Sequence, residues 1–303
     1  FMKYHVPVLL NESVNGLSIK PSGTYVDLTF GGGGHSKLIL EKLNLNGKLF
    51  SFDTDDDAIK ENKIKNDNFH LIKSNFKFFD LHIKERGINK VDGILADLGV
   101  SSHQIDNKER GFSYMGNNKL DMRMSIKNDL SAEELLNNYD QNSLQNILFE
   151  YGDIKNSKII AQEIISYREK KRIRNNEDLF EAIQSISEKK LSYKFLSKLY
   201  QAIRIEVNDE INSLKEMLEK SVEFLNSSGR LVIISYHSVE DRLVKNFINK
   251  SSFNSDFNKD LYGRKIEYFK RINKKPIVPT DEEKALNTRS RSAKLRIGEK
   301  LWV

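Results

Sequence analysis

The chain has 303 residues, 38% of them hydrophobic and 30% charged, with a net charge of +6, which is typical of a globular protein and favours a polyanionic partner only weakly. It has no cysteine, and its six histidines lack the spacing of metal ligands, so we expect neither disulfides nor a metal site. No stretch is long and apolar enough for a membrane span, and no signal-peptide pattern is present, so we expect a cytoplasmic protein without membrane association.

The first strong pattern along the chain lies in residues 24–36. β-forming residues are followed by the four glycines 31–34, which allow a tight turn, and by Ser36–Leu43, which predicts an amphipathic helix. Because glycine has no Cβ, a ligand can lie against such a turn, and the helix start offers free N–H groups. A second strand is predicted at Lys48–Asp53, and its terminal carboxylate is suited to binding a ribose. These features indicate a cofactor that contains a nucleoside.

Strands and helices alternate through the first third of the chain. The pattern predicts helices at Asp55–Lys65 and Phe76–Arg86 and strands at Phe69–Lys73 and Val91–Leu98. Such alternation predicts a parallel sheet with helices on both faces. The strand that carries Asp97 near its end is expected beside the first strand, so that Asp53 and Asp97 face one crevice.

The alternation is interrupted in the middle of the chain. Residues 106–200 contain no convincing strand but several helical patterns, which indicate an inserted helical domain. These patterns cover Ser131–Asn138, Ser143–Tyr151, Ser157–Lys170, Asn176–Ser187 and Tyr193–Arg204. We therefore predict the first part of an α/β domain (residues 2–105), a helical substrate-recognition insertion (106–205) and the second part of the α/β domain (206–303).

The α/β pattern resumes after the insertion. Residues 208–226 predict an amphipathic helix, and a turn at Ser227–Gly229 leads into Arg230–Ser235, the most apolar of the predicted strands. The remaining predictions are a helix at Val239–Asn249 and strands at Lys265–Lys270 and Ala293–Ile297, with a long loop between these strands. The predicted fold class is α/β, with a doubly wound, mostly parallel sheet.

The glycine run distinguishes two classes of cofactor. It lacks the Gly-x-Gly-x-x-Gly fingerprint that binds a dinucleotide pyrophosphate, since His35 and Ser36 follow Gly34. It fits better the looser Asp-x-Gly-x-Gly-x-Gly pattern of S-adenosylmethionine enzymes, beginning at Asp27, with Thr29 in place of the first glycine. A nicotinamide-dependent oxidoreductase stays as an alternative, beside a non-catalytic RNA-binding assembly factor with a vestigial nucleoside pocket.

Six longer motifs point to one family. They are Asp97–Gln104, Glu109–Tyr114, Leu120–Met124, Gln201–Glu210, Ser235–Arg242 and Asn287–Arg296. In this order, from about His5 to Ile297, the chain closely resembles the bacterial ribosomal RNA small-subunit methyltransferase H family, also called MraW. The resemblance implies a class I, Rossmann-like methyltransferase sheet with a helical insertion. It also implies transfer of a methyl group from S-adenosyl-L-methionine to the exocyclic N4 of a cytidine in the decoding region of small-subunit (16S) ribosomal RNA.

The resemblance further implies which residues contact the cofactor. They are Gly33, Gly34 and His35 in the loop, Asp53 on the ribose, Phe76 beside the adenine, and Asp97 and Gln104 near the methionine end. An aromatic ring after the third strand can pack on a purine, although Phe76 also suits a core position at a helix start. For His35 we expect the backbone to matter more than the imidazole.

Methylation of an exocyclic amine requires a group that orients the amine and accepts its proton. Asp97 stands where many amino-methyltransferases have the acidic residue of an Asp/Asn-Pro-Pro-aromatic motif, but the next three residues replace the prolines and the aromatic ring. There are therefore three candidates for the residue that stacks on the target base: Phe112, Tyr114 and Tyr236.

Three other candidates each have a structural alternative. His237 is suited to accepting the proton or to fixing a loop by hydrogen bonding. Asp121 is a candidate catalytic residue, with a salt bridge to Arg123 as the alternative. Ser101 is expected either to contact the cytosine or to cap a helix.

Two basic runs are expected to bind phosphates of ribosomal RNA. One is Arg168–Arg174 in the insertion, and the other supplies Arg289, Arg291 and Arg296 near the end of the sequence. A solvated surface is the alternative for each run. The expected partner is small-subunit ribosomal RNA in an assembled or nearly assembled subunit, with free RNA as the alternative. Monomer and homodimer both stay open.

Overall fold

The computed structural model describes residues 7–184, 191–254 and 256–302. Contacts between residues divide the chain into two compact units, Phe1–Gly99 with Ile211–Val303, and Val100–Glu210. We call the first the sheet unit and the second the helical unit. Within the described ranges, no helix has both the length and the apolar character required to cross a membrane.

The described part of the sheet unit contains one seven-stranded sheet. Its strands are β1 (Thr24–Asp27), β2 (Lys48–Asp53), β3 (Phe69–Lys73), β4 (Val91–Asp97), β5 (Leu225–Ser235), β6 (Phe269–Arg271) and β7 (Lys294–Lys300). In the order β3-β2-β1-β4-β5-β7-β6, neighbours pair in parallel from β3 to β5, whereas β7 is antiparallel to β5 and β6. The predicted α/β fold with a mostly parallel sheet is confirmed.

The central strands are apolar because helices cover both faces of the sheet. The helices of this part of the chain are α1 (Leu10–Gly16), α2 (Gly34–Lys42), α3 (Asp56–Lys60), α4 (Phe79–Lys84), α11 (Glu210–Phe224), α12 (Ser238–Lys250) and α13 (Asp281–Leu286). Val14 of α1 and Ile39 of α2 pack in one buried cluster with Tyr25, Leu95 and Ile234 of the strands. Burying one such side chain stabilises the fold by about 1.5–3 kcal/mol.

Several predicted boundaries in the sheet unit differ from the structure. β5 begins at Leu225 because this buried residue pairs with Val91, and the predicted turn at Ser227–Gly229 is an irregularity inside the strand. Ser228 has a φ of 64° there, which takes the chain out of the regular register. The predicted helix at Phe76–Arg86 is a 3-10 turn followed by α4, and α3 ends five residues before the predicted helix does.

The long loop predicted between the last two strands contains α13 and a 3-10 helix at Thr288–Ser292. The Thr280 side chain caps α13 by accepting the N–H of Glu283, and three acidic residues occupy its first turn. These signals are present in the sequence. None of the six residues of α13 is buried, so the apolar periodicity by which helices are recognised is missing.

The helical unit contains α5 (Ser102–Asp106), α6 (Ala132–Asn138), α7 (Gln141–Glu150), α8 (Ser157–Arg168), α9 (Asn176–Ile183) and α10 (Tyr193–Val207). Its own core gathers Leu135, Leu148, Ile164, Leu179 and Ile203, one apolar side chain from each of the longer helices. Side chains of Ser131, Asp140, Asn175 and Ser192 cap the starts of α6, α7, α9 and α10. Ser187, the predicted end of α9, lies outside the described residues.

Candidate active site

Three acidic residues end neighbouring strands of the sheet unit. Asp27 ends β1, Asp53 ends β2 and Asp97 ends β4, and β1 pairs with both of the other strands. Because parallel strands bring their carboxyl ends to one edge of a sheet, the three carboxyl groups belong to one crevice. Burial raises their pKa, to about 6 for Asp27 and Asp53 and to about 7 for Asp97. The crevice therefore holds groups that exchange protons close to neutral pH.

The glycine loop between β1 and α2 keeps part of its backbone open. Gly31 has a φ of +51°, and a Cβ placed there would meet no atom within 4 Å. Its N–H donates to Oδ2 of Asp53 at 2.8 Å, which fixes the loop beside the end of β2. A Cβ at Gly33 or Gly34 would instead clash with neighbouring side chains at 2.8 and 2.2 Å. Packing thus shapes this loop and leaves a bare main-chain surface that fits a nucleoside cofactor.

Phe76 lies just beyond the end of β3, as the first residue of a 3-10 turn, and is half-buried. Pairing of β3 with β2 places Lys73 opposite Asp53, and the N–H of Ser74 donates to the Asp53 carbonyl at 3.0 Å. The backbone therefore holds Phe76 at the edge of the sheet where the acidic residues lie. This is the position expected for an aromatic residue that packs on the adenine of a cofactor.

Asp97 is held from two sides. The Tyr236 hydroxyl donates to its Oδ1 at 2.8 Å, and the N–H of Asp97 donates to Oγ1 of Thr29 at 2.7 Å. Burial is the main cause of the raised pKa of Asp97, the bond from Tyr236 opposes it, and repulsion by Asp27 and Glu240 adds to it. Tyr236, a predicted base-stacking residue, is thus a hydrogen-bond partner of the predicted catalytic carboxylate.

His35 is buried beside Asp97, with its Nδ1 3.9 Å from Oδ2 of that residue. Burial lowers the pKa of His35 to about 4, although a hydrogen bond with the backbone of Val8 acts in the opposite direction and raises it. The imidazole is therefore neutral at pH 7. Among the described residues, Nε2 has no hydrogen-bond partner. The ring of His35 is thus buried beside the predicted catalytic carboxylate, and a larger role for its backbone than for its ring stays a prediction.

Asp27 has a part in the site that the sequence did not assign to it. Its Oδ2 accepts the Ser36 hydroxyl at 2.6 Å, and its Oδ1 accepts the N–H of Thr29 at 3.2 Å. The Ser36 hydroxyl also lies 2.8 Å from that of Ser51. These bonds join β1, β2, the glycine loop and the first turn of α2. The sequence signal was the acidic residue that opens the glycine motif at the end of a buried strand.

His237 is the N-cap of α12. Its Nδ1 accepts the N–H of Glu240 at 3.4 Å, and its Nε2 lies 3.1 Å from Oε1 of the same residue. Glu240 in turn accepts the N–H of Tyr236 at 3.1 Å through Oε2. Of the two roles expected for His237, this geometry is that of a residue that fixes the chain between β5 and α12.

The predicted phosphate-binding arginines have different surroundings. Arg289 and Arg291 lie in the 3-10 helix before β7, and the exposed Arg291 lines a cavity of about 330 Å³. The other residues of its lining are Tyr236, His237, Ser238, Val278, Ser292, Ala293 and Lys294. The guanidinium of Arg296 instead donates two hydrogen bonds to the carboxylate of Asp241, one from Nε at 2.6 Å and one from a terminal nitrogen at 3.1 Å. The guanidinium of Arg296 therefore ties β7 to α12.

In the helical unit, Ser101 and Gln104 form a capping box at the start of α5. The Ser101 hydroxyl accepts the N–H of Gln104 at 3.2 Å, and the Gln104 amide oxygen accepts the N–H of Ser101 at 2.9 Å. Asp121 forms a two-point ion pair with Arg123, with bonds of 3.0 and 2.8 Å, which lowers the pKa of Asp121 despite its partial burial. For both Ser101 and Asp121, the structure shows the structural alternative.

The two aromatic candidates of the helical unit differ in exposure. Phe112 is 8% exposed and belongs to the core of this unit. Tyr114 is half-buried, its hydroxyl accepts the Ser197 hydroxyl at 3.3 Å, and its ring lies 5.7 Å from that of Tyr200. Within the helical unit, Tyr114 is thus the more accessible candidate for stacking.

Two residues of the basic run Arg168–Arg174 form ion pairs with carboxylates of the helical unit. Lys171 pairs with Asp178 at 2.7 Å, and Arg172 pairs with Glu133 and Glu134, each at 2.7 Å. Such cations neutralise acidic residues of their own surface. They add less positive potential for RNA than the sequence suggested.

The family model and the similar relatives match nearly the whole chain. The model of the MraW methylase family matches residues 2–301. The ribosomal RNA small subunit methyltransferase H of Flavobacterium johnsoniae is 51% identical over 99% of this chain and 99% of its own length. That of Flavobacterium psychrophilum is 52% identical over 96% of this chain and 100% of its own length. A solved rRNA methylase from Streptococcus thermophilus aligns over 98% of this chain and 99% of its own, at 13% identity and a TM-score of 0.43. The chain therefore belongs to the MraW methylase family, and its cofactor is S-adenosyl-L-methionine.

Proposed function

We propose that the protein transfers the methyl group of S-adenosyl-L-methionine to the exocyclic N4 of a cytidine in the decoding region of small-subunit ribosomal RNA. Family membership supports methyl transfer, and the names of the similar relatives support the RNA. The observation that carries the choice of an amine is Asp97, whose Oδ1 is oriented by the Tyr236 hydroxyl at 2.8 Å. A carboxylate held in this way can accept both a hydrogen bond and a proton from an amine.

The exocyclic amine of cytosine is a weak nucleophile because its lone pair is conjugated with the ring. In the proposed reaction Asp97 accepts a hydrogen bond from N4, which turns the lone pair toward the methyl carbon. The bound cofactor supplies an activated sulfonium methyl group. The new N–C bond would replace the methyl–sulfur bond, whose electron pair would stay on the sulfur of the departing S-adenosyl-L-homocysteine. N4 would lose one proton to Oδ2 of Asp97, while Oδ1 keeps its bond to Tyr236. A pKa of about 7 leaves Asp97 partly ionised at neutral pH and still basic enough for this step.

The cofactor is proposed to lie along the edge where β1, β2 and β4 end. Each oxygen of Asp53 accepts one N–H of the chain, from Gly31 and from Asp55, which leaves further lone pairs for ribose hydroxyls. The open backbone at Gly31 allows close approach, and Phe76 is proposed to pack on the adenine.

The substrate is proposed to be an assembled or nearly assembled small subunit, which places the enzyme in the cytoplasm. The helical unit is proposed to recognise the RNA. In the sheet unit, Arg291 and Lys294 line the cavity beside Tyr236, so a phosphate near the target cytidine is expected there. Tyr236 lines this cavity, and its hydroxyl donates a hydrogen bond to Asp97. The cavity is therefore next to the carboxylate that is proposed to react.

The proposal is tested with purified protein, methyl-labelled S-adenosyl-L-methionine and ribosomal subunits from cells that lack the gene. Label is expected in the small-subunit RNA alone, in an amount that approaches one methyl group per particle. Large subunits and fully modified small subunits are the controls. Absence of transfer to unmodified small subunits would support a non-catalytic assembly factor instead.

Tyr236→Phe is expected to change the pH dependence of the reaction. The hydroxyl that this variant removes lowers the pKa of Asp97 in the wild type, so this pKa rises in the variant. The acidic limb of the single-turnover rate should therefore move to higher pH, with a lower rate at pH 7 and recovery above about pH 9. Tyr193→Phe, which removes the hydroxyl of an exposed tyrosine, serves as the control. A uniform loss of rate with an unshifted midpoint would assign Tyr236 to base stacking.

Replacement of Arg289 and Arg291 by glutamine is expected to weaken RNA binding, because two cations that bind phosphates are removed. The slope of log affinity against log salt concentration should fall by about 0.7 for each phosphate that the variant no longer binds. Binding titrations at several potassium chloride concentrations measure this slope. Lys63→Gln with Lys65→Gln removes the same charge from another exposed place in the sheet unit. An unaltered slope in the arginine variant would return this segment to a structural role.

A further inference from the structure

Residues 256–275 of the sheet unit form a basic surface that the proposed reaction does not use. We call it the basic hairpin segment. It contains seven lysine or arginine residues and three acidic residues. Its first part is a tight hairpin closed by a bridge between Lys259 and Lys265, and its second part includes β6, the edge strand of the sheet. Its positive charge therefore lies at a border of the sheet, where a long polymer has access.

The tip of this hairpin presents two apolar side chains to the solvent. Leu261 is 101% exposed and Tyr262 is 84% exposed. The turn that carries them is ordered by hydrogen bonds, since Oδ1 of Asp260 accepts the N–H groups of Tyr262 and Arg264, each at 2.8 Å. Gly263 closes the turn with a φ of +77°. The ordered turn holds a tyrosine and a leucine side by side in the solvent, where both are accessible to a partner.

Cations stand beside the aromatic rings of the segment. The Arg264 guanidinium lies 5.6 Å from the ring centre of Tyr262, and the Lys265 ammonium lies 4.1 Å from that of Phe257. Lys270 and Arg271 are exposed on β6. Oδ1 of Asp260 is occupied by two N–H groups of the turn. An exposed ring flanked by a cation, as at Tyr262, is a combination that binds unpaired nucleotides.

We propose that the basic hairpin segment binds an unpaired stretch of small-subunit ribosomal RNA, with Tyr262 stacked on a base and Lys270 and Arg271 on phosphates. The identity of the RNA rests on the proposed function. An unpaired stretch is favoured over a duplex because the bases of a duplex are already stacked and offer no free face to the tyrosine. RNA is favoured over a protein because cations outnumber carboxylates by more than two to one in the segment.

The test compares binding of full-length variants to naked 16S ribosomal RNA and to unmodified small subunits. Tyr262→Ala is expected to weaken binding to both by about 5- to 100-fold, because the variant has no ring on which a base can stack. Tyr262→Phe keeps the ring and is expected to bind within about twofold of the wild type. Lys270→Gln with Arg271→Gln should lower the salt slope by about 0.7 for each phosphate that the variant no longer binds.

Two control variants match these changes elsewhere in the sheet unit. Leu45→Ala alters a side chain that is 93% exposed, and Lys63→Gln with Lys65→Gln removes two exposed charges. The proposal is overturned if Tyr262→Ala and the Lys270 and Arg271 variant bind like these controls. A loss confined to assembled subunits and absent with naked RNA also overturns it, since a ribosomal protein would then be the partner. RNA binding is measured without methyl transfer, so the two proposals can fail separately. A protein that binds RNA through Tyr262 but does not methylate it would contradict the proposed function and leave this inference intact.

Discussion

Asp97→Asn is expected to reduce the single-turnover rate of methyl transfer by about 10²- to 10⁴-fold, because the amide cannot accept the proton of N4. The amide oxygen can still accept the Tyr236 hydroxyl, which donates to Oδ1 at 2.8 Å in the wild type, so the side chain should keep its place. The Kd for S-adenosyl-L-methionine is therefore expected to change by less than about tenfold. Rapid-quench assays and calorimetric titration measure the two quantities.

The control for this variant is Asp67→Asn, which removes an exposed carboxylate of the same unit. Its rate is expected to equal that of the wild type. If Asp97→Asn reacts at a near-normal rate, Asp97 takes no proton in the reaction. If it instead loses the cofactor, Asp97 serves binding and not chemistry.

The same variant is expected to be more stable than the wild type at high pH. Burial raises the pKa of Asp97 from 3.8 to about 7, so ionising this carboxyl group costs folding free energy as the pH rises through that interval. Its side chain is 22% exposed, which reduces the cost. Urea unfolding at pH 8 should show a free energy of unfolding about 1 to 2 kcal/mol higher for Asp97→Asn, with no difference below about pH 4. A destabilised variant at pH 8 would show that the carboxylate contributes to the fold.

Asp53→Ala is expected to weaken binding of S-adenosyl-L-methionine by roughly 5- to 150-fold, which corresponds to about 1 to 3 kcal/mol for the removal of a buried acceptor. The structure gives a second reason, because Asp53 also fixes the glycine loop through the N–H of Gly31 at 2.8 Å. Asp53→Asn, which keeps one acceptor oxygen, should lose less affinity. Calorimetric titration measures all three proteins.

For Asp53 the matched control is Asp67→Ala, which removes a carboxylate that is exposed in the same unit. Wild-type affinity in Asp53→Ala would refute the ribose contact. Equal losses in Asp53→Ala and Asp53→Asn would mean that the negative charge, rather than an acceptor oxygen, binds the cofactor.

The positions of the acidic residues could be predicted from the sequence because they follow from strand patterns. Val91–Leu98 and Lys48–Asp53 are apolar runs that carry an acidic residue at or near their ends, and parallel strands align their carboxyl ends. The strand and helix pattern therefore sufficed for the fold class and for Asp53 and Asp97. It also predicted most helices between residues 131 and 204, because these helices have apolar faces.

The side-chain partners of Asp97 and Arg296 could not be predicted, because these pairs join residues far apart in the sequence. The bond from Tyr236 to Asp97 spans 139 positions, and the pairing of Arg296 with Asp241 spans 55. The sequence does not distinguish an arginine that is exposed from one that pairs with a carboxylate. The roles of His237 and Ser101 depend on helix starts, whose exact residue a pattern does not give. Geometry alone separates a cap from a catalytic group.

Identification of the nucleoside that receives the methyl group tests the proposed function at the level of a single atom. Unmodified small subunits are incubated with the purified protein and S-adenosyl-L-methionine, and the RNA is digested to nucleosides and to oligonucleotides for mass spectrometry. We expect one new N4-methylated cytidine, located in a decoding-region fragment, and none with Asp97→Asn. A methyl group on another atom, on another nucleoside or outside the decoding region would contradict the proposed function.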